Sequence, residues 1–164
     1  MNAVMKSVIA AIAFGVAVNA FAVEKDITVN ATVDSTLDMT LSDGQPLPSS
    51  VDMQYTPGVG LASTILETKI WSNDAAKDIK ASLAATPVLT NTTGEGSVGL
   101  AVKLGSQAIT PAPATLSAIA LFPTGEVDQG SVTLPLEILP STVEPLATGN
   151  YTGMVSLVLT QATE

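Results

Sequence analysis

The side chains that could carry out chemistry in this chain come from few residue types. The sequence has fifteen aspartate and glutamate residues and no histidine or cysteine. Without those two types, neither a serine–histidine pair nor a cysteine nucleophile can form, and the ordinary zinc ligand sets are excluded. The carboxylates are spread over turns and polar positions, with no spacing typical of a general acid–base pair. We therefore expect no enzyme, no cofactor and no metal site.

Two single features could still suggest a binding site. The segment Asp38–Gly44 superficially resembles a calcium loop, but it lacks the alternating oxygen ligands and the late bidentate glutamate. A plain turn at Asp43-Gly44 is the better interpretation. Trp71, beside the Asn73-Asp74 turn, is a candidate for an exposed contact, although a position in the core or at its rim is favoured.

The first 22 residues have the features of a secretory leader. Lys6 precedes an apolar run at residues 8–18, and Ala20-Phe21-Ala22 offers small residues at a cleavage site. The run is shorter than the roughly 20 residues of a membrane span, although a retained anchor is the alternative. We predict that residues 1–22 are removed and that Val23 begins a mature chain of 142 residues.

The mature chain would be strongly acidic. It has five lysines, no arginine and fifteen acids, a net charge of −10. Clustered lysine and arginine are what bind phosphate, so we expect no nucleic-acid partner and no attraction to anionic membranes. No apolar segment after Val23 is long enough for membrane insertion. Because cysteine is absent, the fold must be held by its core, its backbone pairing or a neighbour.

Residues 23–34, VEKDITVNATVD, form the most regular strand pattern in the chain. Apolar and polar residues alternate, which is typical of a half-buried strand, and Lys25 alone breaks the apolar face. Chain ends usually fray, so a strand at the new N-terminus needs a partner. Its apolar face carries five residues: Val23, Ile27, Val29, Ala31 and Val33.

Nearly every later segment also has a strand pattern. Strands are predicted at Ser35–Leu41, Val51–Tyr55, Ser63–Trp71, Ile79–Leu83, Val98–Leu104, Thr115–Phe122, Ser131–Leu139 and Tyr151–Thr160. Turns such as Asp43-Gly44, Pro57-Gly58 and Thr124-Gly125 separate them, and Asp74–Lys80 could form one helical turn. This density of short strands predicts one domain over residues 35–164, an immunoglobulin-like antiparallel β-sandwich.

The final segment is apolar on one face as well. Along YTGMVSLVLT that face carries Tyr151, Gly153, Val155, Leu157 and Leu159. An exposed edge strand with an apolar face tends to pair with a strand of another chain. If residues 23–34 of one molecule completed the sheet of the next, the contact would not close on itself and would generate a fibre. The alternative is that residues 23–34 are an ordinary edge strand of their own domain.

Four stretches of this sequence resemble one protein family. They are VEKDITVNATVD at residues 23–34, LSDGQPLPSSVDMQYTP at Leu41–Pro57, NDAAKDIKASLAATPVL at Asn73–Leu89 and ATGNYTGMVSLVLT at Ala147–Thr160. In these stretches the chain is similar to the major pilins of the class 5, CFA/I-like fimbriae, which are assembled by the chaperone–usher pathway.

The resemblance implies an immunoglobulin-like sandwich that lacks its final strand. A periplasmic chaperone would fill the gap first, and residues 23–34 of the next subunit would replace it in the fibre. The donor side chains would be Val23, Ile27, Val29, Ala31 and Val33. Tyr151, Gly153, Val155, Leu157 and Leu159 would line the acceptor groove. Close relatives have proline after the donor strand, where this chain has Ser35.

The function implied is that of the major structural subunit of an adhesive fimbria. Its partners would be identical subunits in a head-to-tail homopolymer, a periplasmic chaperone, an outer-membrane usher and a tip adhesin. The subunit would be exported through the periplasm to the cell surface. The alternative is a monomeric secreted or periplasmic β-sandwich that binds a small ligand.

Overall fold

The computed structural model describes residues 37–163. The predicted leader, residues 1–22, and the predicted donor strand, residues 23–34, lie outside the described residues. Both therefore remain predictions, as does the boundary at residue 35.

The described part of the chain is built almost entirely from short strands. They are β1 (Leu37–Leu41), β2 (Tyr55–Thr56), β3 (Gly60–Leu61), β4 (Thr64–Ser72), β5 (Ile79–Leu83), β6 (Val88–Asn91), β7 (Ser97–Leu104), β8 (Gln107–Ile109), β9 (Ala114–Leu116), β10 (Leu134–Pro140), β11 (Tyr151–Thr152) and β12 (Leu157–Gln161). One helical turn, α1 (Ala118–Leu121), lies between β9 and β10.

The strands form two main sheets in which every pair is antiparallel. The larger sheet has the order β1-β4-β10-β7-β6-β11, with β8 also paired to β7. The smaller sheet has the order β12-β5-β9, and β2 and β3 form a separate hairpin. The prediction of an antiparallel, all-β fold is confirmed.

Alternating burial along the strands explains how the two sheets pack. In β5 the side chains of Ile79, Ala81 and Leu83 are buried, and in β7 every second side chain is buried. Such period-two burial places one face of each strand on the core. The core between the sheets joins Ile70 of β4 with residues of β5, β7 and β10.

The strand order matches the immunoglobulin-like arrangement. In that fold the first, second, fifth and fourth strands form one sheet, and the third, sixth and seventh form the other. Here β1, β4, β10 and β7 make the first set, and β5 and β12 are the third and sixth strands. The seventh strand would lie beside β12 on the side away from β5. Within residues 37–163, no strand occupies that position.

Several predicted elements differ in detail. Val51–Tyr55 is mostly irregular, and the segment expected as one strand at Thr115–Phe122 is β9 followed by α1. The Ser117 side chain accepts a bond from Ala120 N (3.3 Å) and so caps the helical turn. Asp74–Lys80, expected as a helical turn, instead leads through a tight turn into β5. The expected turns at Gly44, Gly58 and Gly125 are confirmed by positive φ angles.

Candidate functional site

The outer edge of β12 is the candidate site because backbone N–H and C=O groups along it can form hydrogen bonds with an added strand. The opposite edge of β12 pairs with β5, where Ala84 N donates to Ser156 O (2.9 Å) and Ala162 N donates to Asp78 O (2.8 Å). In an antiparallel ladder, alternate residues bond to the same neighbour. The N–H and C=O groups of Leu157 and Leu159 therefore point away from β5, toward the open side.

The side chains along this edge are apolar on the core side. Val155, Leu157 and Leu159 are partly buried and pack against the core. Val158 (41% exposed) and Met154 (78% exposed) face outward. The edge thus presents a row of apolar side chains together with backbone groups that pair with no strand of residues 37–163, the two features that an added β-strand requires.

The second wall of the site is β1, at the end of the larger sheet. Ser42 N donates to Glu67 O of β4 (2.8 Å), so every second residue counted back from Ser42 bonds to β4. The backbone N–H and C=O groups of Leu37 and Met39, which lie between those residues, therefore point away from β4. Both side chains are partly buried against the core. Met39 N is bonded to Asp38 Oδ1 (2.8 Å), so β12 is the freer of the two edges.

The two walls converge at one end of the sandwich. Leu37 pairs with Ser72, and Gln161 Nε2 donates to Ser72 Oγ (3.3 Å). At its other end β1 is covered, because Thr40 forms a bridge with Pro46 and Leu41 N donates to Gln45 O (2.8 Å). We call the surface between Leu37–Met39 and Val155–Gln161 the open groove.

The structure brings together only some of the side chains predicted to line the groove. Val155, Leu157 and Leu159 form one row, as the alternation predicted. Tyr151 belongs to β11 instead, pairs with Asn91 of the larger sheet, and donates its hydroxyl to Ala147 O (3.1 Å). The expected continuous strand is interrupted between β11 and β12.

Gly153 lies in this interruption and has a packing role. A Cβ atom on Gly153 would clash with Val88 O, so only glycine allows this approach to β6. Sequence reasoning missed the wall formed by Leu37 and Met39. Their alternation within the predicted Ser35–Leu41 strand indicated a buried face, but not that this face lies beside β12.

Trp71 is not a free contact. It lies half-buried on the outer face of β4, where its indole N–H donates to Thr40 Oγ1 (2.8 Å). A Cβ on Gly130 would lie 3.2 Å from its ring, so the backbone passes close over the indole. The interpretation of Trp71 as a rim residue fits this placement.

The described residues offer no other centre of chemistry. In residues 37–163 no group of three or more aspartate or glutamate side chains is placed to hold a metal ion. No helix in that part of the chain is long and apolar enough to cross a membrane. The single ion pair found there joins Lys103 Nζ and Glu137 Oε2 (3.2 Å), on the outer surface of the larger sheet. What the open groove can do is bind a strand.

Comparison with known proteins gives a consistent set of similarities. Residues 23–160 match the family model described as CS1 type fimbrial major subunit. The chain is 37% identical over 151 residues to a CFA/I fimbrial subunit of Escherichia coli O78:H11 (strain H10407 / ETEC), covering 88% of this chain and 89% of that relative. It is 33% identical to a CS1 fimbrial subunit of Escherichia coli, covering 88% of each.

A solved structure is similar as well. The CooA pilin subunit from enterotoxigenic Escherichia coli superimposes with a TM-score of 0.70 at 27% sequence identity. The match covers 79% of this chain and 89% of that one.

Proposed function

The chain belongs to the CS1 type fimbrial major subunit family, and from that premise we propose that its subunits join by strand exchange in the open groove. Membership makes the protein a structural subunit of a surface fimbria that polymerises with like subunits. In the proposal, residues 23–34 of one subunit fill the groove of the next. The donor side chains are Val23, Ile27, Val29, Ala31 and Val33.

The observation that carries this proposal is the edge of β12. Leu157 and Leu159 combine core-facing side chains with backbone groups that point to the seventh-strand position, which no strand of residues 37–163 fills. Burying an aliphatic side chain such as Val or Ile contributes about 1.5–3 kcal/mol. Each backbone hydrogen bond adds roughly 0.5–1.5 kcal/mol. A strand with several such residues therefore gains enough to hold two subunits together without a disulfide.

The lengths of donor and groove specify a register. Ile27 to Val33 is a run of seven residues with apolar side chains at every second position, and Val155 to Gln161 spans seven residues as well. We propose that the strands run antiparallel, as all described pairs do and as the seventh strand of this fold does. Val33 then lies opposite Val155, Val29 opposite Leu159, and Ile27 opposite Gln161.

The proposal extends to the partners of assembly. Before polymerisation a periplasmic chaperone would occupy the same groove, since an uncovered apolar edge aggregates. An outer-membrane usher would then exchange the chaperone for the next donor strand, and a tip adhesin would start the fibre. The subunit's role is structural, without catalysis. Similarity to fimbrial subunits along the chain does not favour the alternative of a monomeric ligand-binding sandwich.

The start of the mature chain is part of the same proposal. The family match begins at residue 23, which supports removal of residues 1–22 and a donor strand at the new N-terminus. N-terminal sequencing of surface-sheared material should begin at Val23. A sequence beginning before or well after Val23 would contradict this boundary.

Engineered cysteines test the strand exchange and its register together, because the chain has no native cysteine. In the antiparallel register Thr28 faces Thr160 as a pair not hydrogen-bonded to each other, with Cα atoms about 4.5 Å apart. That distance suits a disulfide. We expect filaments of the double variant Thr28→Cys/Thr160→Cys, oxidised and boiled without reductant, to give a covalent ladder on a denaturing gel.

A matched variant makes this result specific. Thr28→Cys/Ser156→Cys combines the same donor position with exposed Ser156, and its two cysteines would face each other only if the strands ran parallel. We expect its filaments, oxidised and boiled without reductant, to give a single monomer band on the denaturing gel. If only this pair gave a ladder, the donor strand would run parallel to β12 and the proposed antiparallel orientation would be wrong. Filaments without a ladder from either pair would place the donor strand elsewhere than along β12.

A further inference from the structure

A cavity of about 330 Å³ opens beside β5, on the side away from β12. Along this edge β9 pairs with Ile79–Ala81, and farther on Leu83 N donates to Thr110 O (2.9 Å), so the cavity lies where the segment after β8, rather than a strand, borders β5. Buried core side chains, Leu83 and Val102 among them, form its floor. Exposed residues, including Ala108 and Pro111, form its rim.

A fixed apolar side chain projects from another part of the molecule. Ile119 is 83% exposed, more than any other large apolar side chain of residues 37–163. It lies on α1, whose other large side chain, Leu121, is buried. Asp78 Oδ1 accepts a hydrogen bond from Ala118 N (2.7 Å) and ties the helical turn to the start of β5. The Ile119 side chain is thus held out from the surface by an anchored turn.

Within one subunit these two features lie at opposite ends of β5. Ile119 is near Asp78, which precedes β5, whereas the cavity contains Leu83, at the last position of β5. At about 3.3 Å per residue, β5 separates its first and last residues by roughly 13 Å. Ile119 therefore cannot enter the cavity of its own subunit.

The proposed fibre brings the two features together from different subunits. Leu37, the first described residue after the predicted donor strand, lies at the same end of the sandwich as α1, because Leu37 pairs with Ser72 and Ser72 contacts Gln161, which pairs with Ile79. Only three residues separate Val33 from Leu37, so their Cα atoms are at most about 14 Å apart. In the proposed register Val33 lies opposite Val155 of the next subunit, at that subunit's cavity end.

We infer that Ile119 of one subunit inserts into the cavity beside β5 of the next copy of this chain. The inference rests on the proposed strand exchange, which places the α1 end of one subunit against the cavity end of the next. An apolar cavity of about 150 Å³ holds a benzene molecule, and the four-carbon side chain of isoleucine is smaller than benzene. The contact buries the most exposed apolar side chain and fixes the rotation of each subunit relative to the next.

A second cysteine pair tests this contact. Ile119→Cys/Ala108→Cys places one thiol on the helical turn and the other at the cavity rim, too far apart to bond within a subunit. We expect parent-like filaments that, after oxidation and boiling without reductant, give a ladder of multiples that collapses with dithiothreitol. The matched control is Ile65→Cys/Ala108→Cys. Ile65 is 55% exposed on the outer face of the larger sheet, and this pair should boil to one band.

The outcomes separate this contact from the strand exchange beneath it. Filaments of Ile119→Cys/Ala108→Cys that boil to a single band would overturn the Ile119 contact and leave strand exchange intact. Absence of filaments from the parent chain would overturn strand exchange itself.

Single variants provide a second readout if the double variant does not assemble. Ile119→Asp removes the projecting apolar side chain, and Ala108→Trp blocks the cavity; both should still give the unheated ladder of multimers. Their filaments should be shorter or more irregular by electron microscopy. Filaments as long and regular as the parent's would overturn the contact and favour a small apolar ligand, or nothing, as the cavity's occupant.

Discussion

At the residue scale, binding of the proposed donor strand should depend on the side chain in its middle, Val29. In the proposed register Val29 lies opposite Leu159, which packs against the core. An aspartate there would take a carboxylate out of water without a partner, at a cost of several kcal/mol. We expect Val29→Asp to abolish both the ladder of multimers on an unheated denaturing gel and the filaments seen by electron microscopy.

The neighbouring residue supplies the control for that prediction. In the proposed donor strand the side chain of Thr28 would lie on the face opposite that of Val29, because side chains alternate along a strand. Thr28→Asp carries the same charge into solvent and should assemble as the parent does. Normal assembly of Val29→Asp would show that the donor face is wrong. Loss of assembly in both variants would show that the added negative charge prevents assembly wherever it lies on the strand, and not the burial of residue 29.

At the element scale, the strands that alternate most regularly were predictable and the breaks between strands were not. Ile79–Leu83 has the bounds that its alternation predicted, since one face is buried on the core. The predicted Tyr151–Thr160 strand is two strands that pair with different sheets. Its interruption depends on how closely Gly153 approaches Val88 O, a contact between segments far apart in sequence.

The same limit applies to the two walls of the groove. The β12 wall was predictable because Val155, Leu157 and Leu159 alternate with outward-facing residues. The β1 wall was not, because which edge strand lies next to β12 depends on the order of strands in both sheets. Local sequence patterns indicate which face of a strand is buried, and they carry no information on its neighbours.

The helical turn α1 offers a test at the scale of one element. Asp78 Oδ1 is the acceptor that joins Ala118 N to the start of β5. We expect Asp78→Ala to lower the free energy of unfolding by about 1–2 kcal/mol, the usual loss for a side-chain acceptor at a helix start. Urea unfolding followed by tryptophan fluorescence would measure it. Exposed Asp52 is the control, and Asp52→Ala should change stability by less than about 0.5 kcal/mol.

At the scale of the whole molecule, the proposal gives each subunit one donor strand and one acceptor groove, and the donor strand of one copy pairs with the groove of another. An interface of this kind is head-to-tail and extends without limit unless its rotation closes a ring. The acidic charge predicted for the mature chain would keep subunits apart except where the proposed groove and strand bring them together. Moving the donor strand to the other end of its own chain should therefore stop polymerisation and leave a complete fold.

The proposed register predicts how short the connection in such a chain can be. Antiparallel strands can be joined by a turn of two residues, whereas parallel strands need a connection of a dozen residues or more. In the antiparallel register Val23 would lie one position past Glu164, beyond the end of β12. We expect a chain that begins at Ser35 and carries residues 23–34 after Glu164, through a four-residue turn, to be a monomer by sizing chromatography. It should resist urea better than a chain lacking residues 23–34.

The moved strand must act through its apolar face if the proposal holds. Val29→Asp within the moved strand should lower the free energy of unfolding by about 3 kcal/mol or more, because a buried unpaired charge is among the most destabilising changes. Thr28→Asp should cost less than about 0.5 kcal/mol. A stable monomer only with a connection of a dozen residues would show that the strand enters parallel to β12. Stability equal to that of the chain without residues 23–34 would show that the groove is not where this strand binds.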